Sequence, residues 1–237
     1  MDKCKVVLVT GAGGFLGRNL VPPKNIDYMP FDLELSPMMD VTNYKFVDYF
    51  VRRIDGIIHT AAVSRVKDCN LHPYNGFRVN VLGTMVMLDN LRHLKHKPWM
   101  IYTSTYTADK CSNKYELYKY MGEMLCVRYA QDYDMKVVVV RLPDLIGNGD
   151  NEEKAIPTIM RRAGRGAKIY LKNPKQQFDL MDVGLVANQI TTIAEKLCNN
   201  EPVSDSYSIT SGKLETLEDI TKEIIVAAKS GSEIVYV

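Results

Sequence analysis

Tyr115 and Lys119 stand four residues apart in a stretch, Asn113–Tyr133, that reads as a helix. At that spacing two side chains stack on one helical face. An ammonium beside a phenol stabilises the phenolate and lowers its pKa, so the phenol can act as a general acid or base nearer neutral pH. Thr105 lies just past the end of the apolar run Trp99–Ser104 and adds a hydroxyl that can hold a reacting oxygen beside the phenol. Alone, Tyr-x-x-x-Lys is a weak signal, because both residues are common. Its weight comes from order: a hydroxyl at a strand end, then the tyrosine and lysine on the next helix, all downstream of a glycine-rich turn.

That turn is Thr10-Gly11-Ala12-Gly13-Gly14-Phe15-Leu16-Gly17-Arg18, placed directly after the apolar run Val6–Val9. Gly11 lets the chain turn tightly out of a strand. Gly13 or Gly14 leaves room for a pyrophosphate to touch backbone, and Gly17 lets a new helix pack close to the strand. The N-terminus of that helix is expected to offer N–H groups and partial positive charge to phosphates. Pro22-Pro23 stops the helix abruptly. A strand over Ile26–Phe31 then ends at Asp32, 21 residues after Gly11. That separation fits an acid accepting hydrogen bonds from an adenosine ribose, with Glu34 a nearby rival. Asp32 in that role disfavours a 2′-phosphate and so points to NAD, with NADP kept open by Arg18.

The elements that position these residues alternate. After the helix Tyr44–Arg53 come the strand Gly56–Ala62, a long helix opened by Pro73 and running to Leu94, and the strand Trp99–Ser104. The helix bearing Tyr115 and the strand Lys136–Arg141 follow. Such alternation implies a doubly wound, Rossmann-like parallel sheet in an α/β fold, with ligands at the carboxyl ends of the strands. From Pro143 the rhythm loosens. Helices near 154–163, 183–197 and 217–229 and strands near 168–171 and 207–209 are expected. Residues 1–237 therefore read as a single dinucleotide-binding domain, with about 144–182 and 203–237 forming a small interleaved C-terminal substrate lobe. His59 reads as a satisfied core histidine.

The bulk composition fits a soluble globular chain: 46% hydrophobic and 24% charged residues, with a net charge of +2. That small charge points to neither nucleic acid nor membrane as a partner. No apolar run approaches the roughly 20 residues of a membrane span. The five cysteines are scattered, with no C-x-x-C pair and no metal-ligand spacing. They argue for reduced thiols and, with a strand starting almost at the first residue, for a cytoplasmic protein without a signal peptide.

In the motifs Thr10–Gly17, His59-Thr60-Ala61-Ala62, Asn80-Val81-Leu82-Gly83-Thr84, Ser104-Thr105, Tyr115-x-x-x-Lys119 with Gly122-Glu123, and Arg141-Leu142-Pro143, the chain resembles the extended short-chain dehydrogenase/reductases of the NAD-dependent epimerase/dehydratase family, which act mostly on nucleotide sugars. The resemblance implies that Thr105, Tyr115 and Lys119 are catalytic. It assigns Gly11, Gly14, Phe15, Leu16 and Gly17 to the pyrophosphate, Asp32 to the ribose, and Asp40 and Val41 to the adenine. Ala61, Ala62 and Val63 would line the cofactor with Asn80 in support. Thr103, Ser104, Tyr115, Lys119, Leu142 and Pro143 would complete its contacts. A homodimer through the long helices around Asn80 and Lys119 is expected on the same ground.

The resemblance implies an NAD(P)-dependent epimerase that acts on a nucleotide sugar through transient hydride transfer. The alternative is an NAD(P)H-dependent reductase of a keto-sugar or other small carbonyl, and a third reading is a non-catalytic dinucleotide sensor. Tyr106-Thr107 stand where a 4,6-dehydratase needs an Asp-Glu pair, which argues against that chemistry. The stretch between Thr105 and Tyr115 is short, Phe178 takes the place of an arginine usual in the family, and Asp144 that of an asparagine. Arg161, Arg162, Arg165 and Lys168 are the cations that could replace the lost charge around a diphosphate, or simply a solvated basic helix end.

Overall fold

The computed structural model describes residues 4–237. Six strands form one sheet: β1 (Lys5–Thr10), β2 (Ile26–Phe31), β3 (Gly56–His59), β4 (Trp99–Thr105), β5 (Val137–Leu142) and a late strand, Ser206–Ser208. The spatial order is Ser206–Ser208, β5, β4, β3, β1, β2, and every neighbouring pair is parallel. Val7, Leu8, Ile57, Ile58, Met100, Ile101, Val138 and Val140 are buried, as continuous apolar runs in a sheet covered on both faces should be. The winding direction reverses at β1, which lies between β2 and β3. Thr10 and His59 are register partners at the carboxyl ends of β1 and β3, where such a sheet leaves its ligand crevice.

The helical segments that serve this sheet are α1 (Tyr44–Val51), α2 (Val66–Leu71), α3 (Pro73–Phe77), α4 (Gly83–Arg92), α5 (Lys114–Tyr133) and the later helix Val183–Cys198, expected near 183–197. Asn113 caps α5 by accepting from Glu116 N, and the Glu116 carboxylate reaches back to Ser112 N at 2.7 Å. These two bonds fix where the helix starts. Tyr115 consequently stands in its first turn and Lys119 one turn on. Asp134, in the left-handed region at φ 50°, ends it.

One expected helix is shorter than foreseen and another carries an irregular turn. The helix foreseen after Gly17 is a single 3-10 turn, Gly17–Asn19. Leu20 is already extended, and Pro22 and Pro23 follow with no N–H to continue a helical ladder. The long helix foreseen over Pro73–Leu94 is present, continuous from Pro73 to Arg92 as α3 and α4 through a π-helical turn, Arg78–Leu82, which contains Asn80.

The chain divides into two compact units, Met1–Leu142 with Gly184–Ile209, and Pro143–Val183 with Thr210–Val237. Residues 203–209, placed by sequence in the small lobe, belong to the first unit, where Ser206–Ser208 pairs with β5. The first unit's core joins Leu8, Phe31 and Ile57 to Val47, Met87, Leu91, Tyr102 and Val139. The second unit has three two-stranded sheets and the helices Ala155–Gly164 and Leu217–Ala227. Its own core gathers Ile156, Ile159, Ile169, Leu171, Leu217 and Ile220. No helix among the described residues is long and apolar enough to cross a membrane.

Candidate active site

Gly11 has φ +70°, and a Cβ there would lie 2.7 Å from the backbone of Ala61. A Cβ on Gly17 would run into the Gly11 carbonyl oxygen. Both glycines are thus required by close approach, and the turn packs on Ala61 and on itself at the end of β1, leaving a main-chain cradle that is exposed at Gly14. Gly13 differs, since the group beside its missing Cβ is the exposed Glu34 carboxylate, 2.5 Å away. Asp32 accepts from Gly13 N at 3.0 Å through Oδ2 and from Glu34 N at 2.9 Å through Oδ1. Its carboxylate therefore ties the turn to the end of β2 and keeps further lone pairs for hydroxyl donors. Arg18 stacks over the Phe15 ring, 5.6 Å from its centroid.

Asp40 accepts from Arg78 Nη1 at 2.8 Å and from Thr42 N and Oγ1. Burial acts to raise its pKa, but these bonds outweigh it and hold the carboxyl below its ordinary value. Val41 is buried against Gly83, whose absent Cβ makes the room. Beyond β3, Ala61 to Val63 are pinned by Asn80. Its Oδ1 accepts from Val63 N at 2.7 Å and its Nδ2 donates to Val63 O at 3.0 Å. The π turn that carries Asn80 is a helix irregularity of the kind that gathers at functional sites.

Lys119 is buried, and its Nζ donates to Thr103 O at 2.7 Å and lies 4.9 Å from the Tyr102 ring centroid. Desolvation pushes its pKa down to about 8, while Cys126, Glu123 and Cys69 act to raise it. Tyr115 is half-buried beside the small apolar cluster of Cys69, Val81 and Tyr118. Thr105 Oγ1 lies 3.4 Å from Thr107 Oγ1 at the end of β4. Ser104 Oγ is buried and has no hydrogen-bond partner among the described residues. Buried hydroxyls are rarely left so, and a bound polar group would satisfy it. The glycine turn, exposed at Gly14, and this orphaned hydroxyl fit a dinucleotide held along the carboxyl ends of β1, β3 and β4. Leu142 is buried at the end of β5, and its carbonyl accepts from Tyr106 N. Pro143 opens the second unit.

Asp109 lies in no motif of the sequence, and Arg141 and Glu123 stand there only within longer motifs. Arg141, opposite Ser104 in register, grips Glu123 through Nε and Nη2 at 3.0 and 2.8 Å. Its Nη1 reaches Asp109, in the short stretch between Thr105 and Tyr115, at 3.0 Å. One guanidinium thus ties β5, α5 and that stretch together. No sequence spacing links 109, 123 and 141; only the sheet register does.

In the second unit Phe178 packs partly buried on the apolar core. Asp179 is buried and accepts from Ser211 N and Ser211 Oγ. Arg161 pairs with Glu152, Arg162 bonds Lys168 O, and Lys168 pairs with Glu233. Three of the four cations considered for a diphosphate thus have protein partners.

The family model described as NAD dependent epimerase/dehydratase family matches residues 37–209. Among curated proteins, the UDP-2-acetamido-2,6-beta-L-arabino-hexul-4-ose reductase of Pseudomonas aeruginosa is 27% identical over 88% of this chain, which spans 55% of that protein's length. Among solved structures, the UDP-glucose 4-epimerase of Thermus thermophilus in complex with NAD superposes with a TM-score of 0.81 at 20% identity, covering 97% of this chain and 85% of that one. The dTDP-4-dehydrorhamnose reductase of Bacillus anthracis in complex with NADP does so with a TM-score of 0.79 at 22% identity, covering 98% and 84%. At these identities the superpositions show a shared Rossmann-like fold.

Proposed function

Because the chain belongs to the NAD dependent epimerase/dehydratase family, we propose that it is an NAD-dependent enzyme that epimerises a nucleotide sugar, with Thr105, Tyr115 and Lys119 as its working residues. The observation that carries this reading is Lys119, buried one helical turn after Tyr115 on the same face of α5, with its Nζ held at 2.7 Å by Thr103 O, two residues before Thr105. An ammonium held in low dielectric exerts a strong field on a neighbouring phenol. Tyr115 takes the proton from the substrate hydroxyl and returns it, while the Thr105 hydroxyl orients the reacting oxygen. The glycine cradle, Asp32, Asp40, Ala61, Ala62 and Ser104 are the residues that would hold the dinucleotide. When bound, it supplies the two-electron acceptor and donor that neither side chain can provide.

A second reading, reduction of a keto-sugar, is favoured by the reductase relative and by the single 3-10 turn after the glycine cradle, which gives a cofactor less to hold than a full helix. Purified protein incubated with UDP- and dTDP-sugars separates the two. Isomer interconversion with no net change in NADH absorbance supports epimerisation, and net NADH or NADPH oxidation by a 4-keto-sugar supports reduction. In either case Tyr115→Phe is expected to lower turnover at least about 100-fold. Unchanged turnover in that variant would refute the assignment. Assembly as a homodimer belongs to the same proposal and is read by light scattering.

A further inference from the structure

Three side chains from separate elements meet in the core of the first unit: Thr10 at the end of β1, His59 at the end of β3 and Thr84 in α4. All three are buried. Thr84 Oγ1 donates to Asn80 O at 2.8 Å. A hydroxyl has one proton, so toward His59 Nε2, 3.2 Å away, Thr84 can only accept. Nε2 therefore carries the imidazole proton. The ring is neutral, because burial and the nearby Lys119 charge bring its pKa down to about 3. Nδ1 is then an acceptor, and the Thr10 hydroxyl donates to it at 2.7 Å. With its proton so engaged, Thr10 Oγ1 accepts from Ala61 N at 3.3 Å.

The direction of every bond is thus set. It runs from Ala61 N–H to Thr10, from Thr10 to His59, from His59 to Thr84 and from Thr84 to the Asn80 carbonyl. The Asn80 side chain in turn holds both backbone groups of Val63. Ala61–Val63 is consequently held at one end by Thr10 and at the other by Asn80, and His59 joins the two holders.

We propose that His59 is a positioning residue for cofactor binding, acting through Thr10 and Asn80 to set the backbone of Ala61–Val63. The proposal rests on the dinucleotide-binding reading above. It differs from a core-filling role in requiring one tautomer and a donor–acceptor pair at fixed reach. An apolar side chain of similar size fills the space but leaves the Thr10 and Thr84 hydroxyls unmatched, and each lost bond of this kind is worth about a factor of ten.

The test has two arms. In the wild-type protein without ligand, 15N NMR of the His59 ring is expected to show a protonated Nε2 and a bare Nδ1 from pH 8 down to pH 5. Amide exchange is read at Ala61 and Val63 in wild type, His59→Leu and His59→Gln. The leucine variant is expected to exchange about tenfold faster at these two amides than wild type, with the β4 and β5 amides unchanged, and glutamine is expected to recover part of the protection. Calorimetric titration with NAD is expected to show about tenfold weaker binding for His59→Leu and partial rescue by His59→Gln. A proton on Nδ1, or a folded leucine variant with wild-type exchange at Ala61 and Val63, overturns the proposal. So does wild-type NAD affinity in that variant. If wild type itself binds neither NAD nor NADP, the dinucleotide reading falls and the positioning role falls with it; the tautomer and exchange results still show whether the relay exists.

Discussion

Lys119→Met is expected to stabilise the fold at neutral pH and destabilise it at high pH. The lysine is buried, and its pKa falls from 10.5 to about 8 on folding, chiefly through desolvation. The unfolded chain therefore binds this proton more tightly than the folded one. Below pH 8 the charged side chain destabilises the folded state by its full amount, and the penalty fades as pH rises from 8 to 10.5. A shift of that size corresponds to about 3 kcal/mol. Methionine also gives up the bond from Nζ to Thr103 O, worth about 1 kcal/mol. The net expectation is a gain of about 2 kcal/mol at pH 7, a crossing between pH 9 and 10, and a loss of about 1 kcal/mol above pH 10.5. Urea unfolding of both proteins across pH 7 to 10.5 reads it directly, and titrating groups that Lys119 does not face cancel in the difference. A stability difference that does not vary with pH would refute the reasoning, because it would mean that Lys119 ionises alike folded and unfolded.

Further perturbations follow from the glycine turn and from the Arg141 network. Gly17→Ala places a methyl against the Gly11 carbonyl, which is backbone and cannot swing away, so a loss of about 3 kcal/mol is expected in thermal or urea unfolding. Gly13→Ala meets only the flexible, exposed end of Glu34 and is expected to stay within about 1 kcal/mol of wild type. Arg141→Met leaves the Glu123 side chain, 6% exposed, without its guanidinium and is expected to lose about 3–5 kcal/mol in urea unfolding. Converting both residues to methionine should restore most of that loss, whereas Asp109→Asn, at the exposed arm of the network, should change stability by less than about 1 kcal/mol.

β1, β3 and β5 were legible because they are runs of Val, Ile and Leu of the kind that two-sided burial demands, and the ends of β1 and β3 carry the small residues of the cradle. The start of α5 was legible too, since Asn113 and Glu116 form a cap that needs only local spacing. Pro22-Pro23 showed that the first helix must be short, but not that it is a single 3-10 turn, because that depends on Leu20 already being extended. Asp32 was legible as an acid at the end of β2, but its grip on Gly13 N was not, since that bond exists only once β1 and β2 lie side by side. The Thr10–His59–Thr84 relay and the Arg141–Glu123–Asp109 network draw on residues dozens of positions apart. Each partner is an ordinary residue in its own segment, and only strand register and helix packing bring them together.

The 3-10 turn Gly17–Asn19 bears on time as well as on binding. A full helix contributes up to about 2 kcal/mol to an anion at its N-terminus, and one turn contributes far less of it. Other contacts being equal, that difference shortens the residence of a bound dinucleotide by up to about 30-fold. An enzyme that returns the same electron pair to its substrate works best with a cofactor that stays. One that consumes a reduced cofactor in every cycle must let it go. The dissociation rate of NAD from this cradle is therefore a measure of which cycle the chain is built to run.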